Sequence, residues 1–333
     1  MASKPVSAAI VGLGWWGRTI AQALAGNVVI KAALAVDPFE PGQAAARQLG
    51  LPVTPDFKAA LDRPDIDAVI LCTPHVHHAA QIKEAAARGK HVFCEKPLCT
   101  TGDEVAGAIK AVRATGVVLG VGHERRFEPA VIDLRARIAT GELGEPLLLE
   151  ANFSQDKFLS IARDNWRFAP TETPVGPLAG TGIHLLDLAN AVLGTPKRLW
   201  AQLSARGSDF ANGDTLGVTV QYQSGATALL GASLATPFDG RLAVFGSKGW
   251  MEIRDRTHPE QPTGWDAATV LRGKDKVSKF WPPHPAVRDN LEAFARAIRG
   301  EEKYPVSFDE MSATVRCYEA VVRSVHSGGI EAV

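Results

Sequence analysis

Val6-Ser7-Ala8-Ala9-Ile10-Val11-Gly12-Leu13-Gly14-Trp15-Trp16-Gly17 is the stretch on which the fold turns. An apolar run ends in a tight glycine turn and passes straight into an Ala-containing helical stretch. G-x-G-x-x-G spacing is a weak signal alone, but here it follows a strand and opens a helix, the context a dinucleotide loop demands. Gly12 permits the turn, and Gly14 lets backbone N–H groups approach a pyrophosphate with no Cβ in the way. Gly17 lets helix and strand pack closely, and the helix N-terminus adds N–H donors for the anion. Asp37 closes the second strand, twenty positions after Gly17, where a carboxylate accepts from the adenosine ribose hydroxyls. Gly12, Leu13, Gly14, Trp15, Trp16, Gly17 and Asp37 are therefore the expected dinucleotide contacts. Asp37 also repels a 2′-phosphate, and Pro38-Phe39-Glu40 brings no cation to receive one. NAD is favoured, with NADP the alternative should Lys31 or Arg47 fold in.

Outward from this loop, short apolar runs alternate with helical stretches of about ten residues. Strands are expected at Val6–Val11, Val28–Val36, Ala68–Cys72, His91–Cys94 and Val117–Val121. Helices are expected at Trp16–Ala25, Gly42–Leu49, Ala79–Arg88 and Asp103–Ala114. "DAVILC" and "VVLGVG" are continuously apolar, as strands buried on both faces should be. The first region, 1–122, reads as a doubly wound Rossmann domain with a parallel sheet. From residue 123 the pattern changes to longer alternating runs, with two antiparallel strands joined at Ser224-Gly225. Helices are expected at Leu134–Thr140, His184–Leu193, Ala286–Arg299 and Phe308–Ser327. Region 123–333 thus reads as an α+β domain with an open, mostly antiparallel sheet for substrate binding and oligomerisation. The Pro-, Gly- and charge-rich stretch Asp255–Trp265 reads as a mobile excursion.

The 333 residues fit two domains at roughly 100–200 residues each. Thirty-six basic residues balance thirty-six acidic ones, so no bulk field is present to hold nucleic acid or an anionic membrane. No apolar run approaches the ~18–20 residues of a membrane span. Four cysteines without paired C-x-x-C spacing suggest neither a disulfide framework nor a zinc site. The expectation is a reduced, cytoplasmic enzyme that binds neither nucleic acid nor membrane.

Three further segments stand at the C-terminal ends of strands, where ligands of open α/β sheets bind. They are Thr73-Pro74-His75-Val76-His77-His78, Glu95-Lys96-Pro97 and Gly122-His123-Glu124-Arg125-Arg126-Phe127. Pro97 suggests a turn that aims Lys96, with a cis bond as one way to make it. Adjacent histidines in a loop without a carboxylate partner are poor chelators, so no metal is expected.

Taken with "GKHVFCEKPL", "NWR" and "GTGIHLLD", these segments resemble the glucose–fructose oxidoreductase / inositol dehydrogenase / rhizopine-catabolism (Gfo/Idh/MocA) family over essentially the whole chain. The resemblance implies hydride exchange between NAD(P) and a hydroxyl carbon of a sugar, cyclitol or related polyol, in a homodimer or homotetramer. It places the catalytic lysine on Lys96 and the catalytic histidine on His184. Thr73, Pro74, His75, His78, Glu95 and Lys96 would lie along the cofactor, with Glu95 orienting Lys96 or packing nearby. Physically, a neutral histidine takes the hydroxyl proton as hydride leaves, and an ammonium stabilises charge developing on the oxygen. Arg126, Trp166, Arg167, His184 and Asp187 are the candidate substrate contacts, although Arg125-Arg126 suits hinge salt-bridging equally well. Asp187 also reads as a structural helix-face residue.

One departure stands out. The family commonly carries an Asp four residues before the histidine, and this chain has Gly180. Glu124, Asp156 or Lys157 are alternative polar contacts. The loss leaves a plain dehydrogenase as the leading reading. The alternatives are an NAD-retaining hydrolase or lyase working by transient oxidation, or a non-catalytic NAD(P) sensor.

Overall fold

The structure, a computed structural model, describes residues 4–333. Its elements in chain order are β1 (Val6–Val11), α1 (Trp15–Ala23), β2 (Ile30–Val36), α2 (Glu40–Gln48), β3 (Val53–Thr54), α3 (Phe57–Leu61), β4 (Ala68–Leu71), α4 (His78–Ala87), β5 (His91–Cys94), α5 (Gly102–Thr115) and β6 (Leu119–Val121). They continue as α6 (Pro129–Ala139), β7 (Pro146–Ser154), α7 (Ile183–Leu193), β8 (Pro196–Ser204), β9 (Thr215–Tyr222), β10 (Thr227–Ser233), β11 (Asp239–Gly246), β12 (Gly249–Asp255), β13 (Trp265–Leu271) and β14 (Val277–Trp281). The last elements are α8 (Ala286–Ile298), α9 (Phe308–Ser327) and β15 (Glu331–Ala332).

Two units result, dividing between Glu124 and Arg125. The first is a six-stranded parallel sheet in the order β3-β2-β1-β4-β5-β6, the dinucleotide-fold order with its switch point between β1 and β4. Local sequence explains its helices. Thr101 caps α5 by accepting from Glu104 N (3.3 Å), while Glu104 Oε2 accepts from Thr100 N and Oγ1 (3.0 and 2.9 Å). Gly116, at φ +70°, ends the helix in the left-handed conformation that glycine adopts freely.

Residues 285–312 also belong to this first unit, although by sequence they read as closing the second. The apolar face of α8 enters the first core: Phe294 meets Phe93 edge-on at 5.6 Å, and Leu291 and Ala295 are buried with it. Asn290 Nδ2 donates to Val121 O (2.9 Å), and Val121 N donates to Tyr304 Oη (3.1 Å). These contacts satisfy both backbone groups of Val121 at the free edge of β6, which would otherwise be unpaired. An amphipathic helix advertises its apolar face but not the sheet it will cover, so the allegiance of α8 was not written in its spacing.

The second unit is a nine-stranded sheet in the order β14-β13-β12-β11-β7-β10-β9-β8-β15. It is antiparallel except for the β7/β10 pair. The β9/β10 hairpin turns where Ser224-Gly225 indicated, with Gln221 opposite Thr227 and Gly225 at φ +91°. Alternate residues such as Leu149, Ala151 and Phe153 of β7 face a core shared with α6, α7 and α9. Trp200 and Leu229 are exposed on their strands. Among the described residues, no helix is long and apolar enough to cross a membrane.

Candidate active site

The glycine loop of the first unit is shaped by what its glycines lack. Gly12 sits at φ +90°, and a Cβ there would lie 2.9 Å from Cys72 O. A Cβ on Gly17 would lie 1.9 Å from Gly12 O, so helix α1 can approach β1 only because position 17 is bare. A Cβ on Gly14 would meet no atom within 4 Å, so the loop backbone there faces open space. No side chain caps α1, and its first turn holds no acid, which leaves its N–H groups suited to an anion. This cradle fits a pyrophosphate.

Asp37 is buried, with Oδ2 accepting from Leu13 N (2.8 Å) and Oδ1 from Phe39 N (3.0 Å). The glycine loop and the start of α2 are therefore held by one carboxylate. Gly42 leaves it room, since a Cβ there would stand 2.1 Å from Oδ2. Glu40 pairs with Arg47, a cation that otherwise would be available to a 2′-phosphate. The two tryptophans of the loop, both expected dinucleotide contacts, divide: Trp16 packs on the first core, while Trp15, 5.5 Å from it ring to ring, is exposed.

Glu95, at the end of β5, is buried, and burial pushes its carboxyl up to about 7. The nearby Trp16 indole and the Lys96 charge oppose that rise. Gly122 makes the space it occupies, because a Cβ there would lie 2.4 Å from Glu95 Oε2. Lys96 is half-buried and precedes a cis peptide bond to Pro97. Thr73 Oγ1 donates to Gln81 Oε1 (2.6 Å) beside Pro74 and His75.

His78 departs from its expected place along the cofactor. It is fully buried, with Nδ1 2.7 Å from Pro97 O and Nε2 2.9 Å from Thr73 O. It ties the Thr73 and Pro97 turns together instead of facing a ligand, and burial lowers its pKa.

In the second unit His184 lies in the first turn of α7, directly after a π-helical turn at Leu178–Gly182. Such turns cluster at functional positions because they re-aim side chains. The ring is buried and stands 5.9 Å from Phe153. At Gly180 the place of a side chain is bordered by Phe158 Cζ (3.3 Å) and Leu234 Cδ2 (3.4 Å), part of an apolar cluster with Phe168 and Phe210. Trp166 and Arg167 form a short helical turn, with the guanidinium over the indole at 4.5 Å.

Arg126 and Asp187, expected against the substrate, turn to each other. Nε donates to Oδ2 and Nη2 to Oδ1, both at 2.7 Å, with both side chains buried. A fork-to-fork pair of this kind neutralises both charges internally. Arg125 likewise binds Glu128 (3.0 Å) and Asp255 (2.7 Å), which is the salt-bridging role read for this pair.

His258 was missed. The 255–265 stretch read as a mobile excursion is anchored: Glu260 pairs with Lys157, and the His258 ring lies 5.7 Å from Phe153 and 5.6 Å from Phe238. Proline, glycine and charge mark a loop, but nothing in that composition shows where the loop is pinned. Asp156, another alternative polar contact, is exposed, whereas Glu124 is buried. No group of three or more His, Cys, Asp or Glu side chains among the described residues could hold a metal ion.

Residues 6–123 match the description "Oxidoreductase family, NAD-binding Rossmann fold", and residues 131–252 match "GFO/IDH/MocA C-terminal domain". The chain is 30% identical over 329 residues to a scyllo-inositol 2-dehydrogenase (NAD(+)) of Bacillus subtilis, covering 93% of this chain and 90% of that protein. It is 30% identical over 286 residues to a D-xylose 1-dehydrogenase (NADP(+)) of Haloferax volcanii, covering 86% of each. The fold superposes with a TM-score of 0.87 on an aldose-aldose oxidoreductase of Caulobacter crescentus, at 26% identity over 99% of this chain and 100% of the other. With both its units matched and its glycine cradle intact, the chain belongs to the GFO/IDH/MocA family of NAD(P)-dependent oxidoreductases.

Proposed function

We propose that this protein transfers hydride between a nicotinamide cofactor, NAD in preference to NADP, and a hydroxyl carbon of a sugar, cyclitol or sugar derivative. The observation that carries the reading is the bare glycine cradle braced by Asp37 at the end of β2. When bound, the cofactor supplies a hydride acceptor and donor. The chain's own residues do the rest. Gly12–Gly17 hold the pyrophosphate, and Asp37 faces the ribose with the lone pairs its two amide bonds leave over. Lys96 donates to the reacting oxygen and stabilises its developing charge. His184 takes the hydroxyl proton in oxidation and returns it in reduction. Trp166 and Arg167 contact the substrate, whereas Arg126 and Asp187 support α7 through their mutual pair.

Preference for NAD rests on Asp37 and on Arg47 being claimed by Glu40. The four cysteines are free, and burial pushes Cys99 and Cys317 up to about 12, which suits a reducing cytoplasm. Exposed apolar side chains of the large sheet, Trp200 and Leu229 among them, support a homodimer or homotetramer.

The test follows absorbance of NAD and NADP against sugars, cyclitols and sugar acids, with Lys96→Ala beside the native protein. Net NADH formation that falls by about three orders of magnitude or more in the variant is the expected result. Native rates in Lys96→Ala would remove the catalytic assignment. Retained NAD with no net reduction of added NAD would favour transient-oxidation chemistry instead.

A further inference from the structure

Cations in the stretch that follows β7 have internal partners, with one exception. Lys157 is paired with Glu260, and Arg163 donates to Asp209 Oδ1 at 2.8 Å. Arg167 is half-buried, yet among the described residues no Asp or Glu forms an ion pair with it. Its guanidinium stacks on Trp166 and, among the described residues, hydrogen-bonds only to Asn165 Oδ1, at a marginal 3.5 Å. Burial lowers its pKa, with no carboxylate nearby to raise it again. A guanidinium drawn out of water without a counter-anion is costly to the free protein, and the cost is recovered if the anion arrives with the ligand.

The arginine is held, not loose. Asn165 Oδ1 accepts from Arg167 N (3.1 Å), and Asn212 Nδ2 donates to Arg167 O (2.7 Å) and Thr173 O (2.8 Å). The next residue, Phe168, packs on Phe158 (6.4 Å between centroids), and Phe158 borders Gly180, four residues ahead of His184. Residues at i and i+4 of a helix lie on one face. The turn that carries Arg167 is therefore joined through two aromatic rings to the helix face that carries His184.

Charge on that face agrees. Gly180 contributes no carboxylate, and Asp187 is neutralised by Arg126. No uncompensated anion from either position opposes a negatively charged substrate. A single arginine, whose neighbours Lys157 and Arg163 are already claimed, matches the one charge and the two coplanar oxygens of a carboxylate. A phosphate carries close to two charges and recruits further donors.

We propose that Arg167, stacked on Trp166, is the carboxylate subsite of the substrate site, so that the preferred substrate is a sugar acid, an aldonate or uronate, and not a neutral sugar. This rests on the dehydrogenase reading above and names the substrate class within it.

Native protein, Arg167→Met and Arg167→Lys are compared on two pairs that differ only at one carbon, glucuronate with glucose and galacturonate with galactose. NAD reduction is measured alongside calorimetric titration of each compound into NADH-loaded protein. The native kcat/KM should favour the acids by about tenfold to a hundredfold, the span of hydrogen bonds to a charged partner. Arg167→Met should reduce the acid-to-neutral ratio by about the same factor, chiefly through KM, and Arg167→Lys should restore part of it. Neutral sugars binding as tightly as the acids would overturn the proposal. So would equal losses on both members of a pair, or preference for glucose 6-phosphate over glucuronate. If no compound reduces NAD, the dehydrogenase reading fails, while the titrations still decide whether Arg167 selects carboxylates.

Discussion

Replacing Glu95 by Gln isolates the buried carboxyl at the end of β5. Its carboxyl titrates near 7 in the fold against an ordinary value of 4.5, so between those limits the folded state binds more protons than the unfolded chain. Stability from this group is fully present below about pH 4.5 and is lost as pH rises through about 7. A difference of about 2.5 units at 1.36 kcal/mol each is about 3 kcal/mol, an order-of-magnitude figure for a fully enclosed group. The glutamine amide matches the protonated acid in size and stays neutral, so the variant should exceed the native protein by less than about 1 kcal/mol near pH 5 and by the full amount at pH 8. Urea unfolding at pH 5, 6, 7 and 8, followed by tryptophan fluorescence, reads this directly. With a slope of about 3 kcal/mol per molar, the midpoints should separate by about 1 M at pH 8 and by only about 0.3 M at pH 5. Taking the difference between the two proteins cancels every other titrating group. Parallel curves across that range would refute the reasoning, because they would mean that Glu95 is ionised in the fold at little cost.

Three other substitutions have defined outcomes. Asp37→Ala should weaken NAD binding and narrow the NAD-to-NADP affinity ratio by about tenfold, measured by fluorescence titration; an unchanged ratio would exclude Asp37 as the discriminator. Arg126→Met leaves Asp187 buried without its fork and should cost about 3–5 kcal/mol in urea unfolding, with Asp187→Asn in the same background recovering part of the loss. Gly17→Ala drives a methyl into Gly12 O, so α1 must move off β1; it should weaken NAD at least tenfold and cost about 1–3 kcal/mol in urea unfolding, and native affinity with native stability would refute the close approach.

Much of the first unit was legible because strands buried on both faces must be continuously apolar, and "DAVILC" and "VVLGVG" are. Boundaries moved by a residue or two, as with α1 beginning at Trp15 instead of Trp16. The two-residue strand β3 has too little length to carry a pattern. In the second unit, β14 is exposed from Val277 to Phe280, so the alternation that marks a half-buried strand is absent there. Among candidate site residues, glycines were readable because steric demand is local. Arg126 and Asp187 were not, since sixty-one residues separate partners that charge complementarity alone brings together. His78 was misplaced for a related reason: its two carbonyl partners belong to turns whose approach only the folded sheet creates.

The return of α8 to the first sheet bears on how the molecule is made. A ribosome delivers Val121 long before it delivers Asn290 and Phe294, so the nascent dinucleotide unit waits for some 170 residues with the edge of β6 and one side of Phe93 uncovered. A fragment ending at residue 124 would carry the whole phosphate loop and yet lack the helix that seals its core. Exchange of this unit between relatives therefore has to move two separate pieces of gene, and a graft taken as one continuous block should yield an aggregating product.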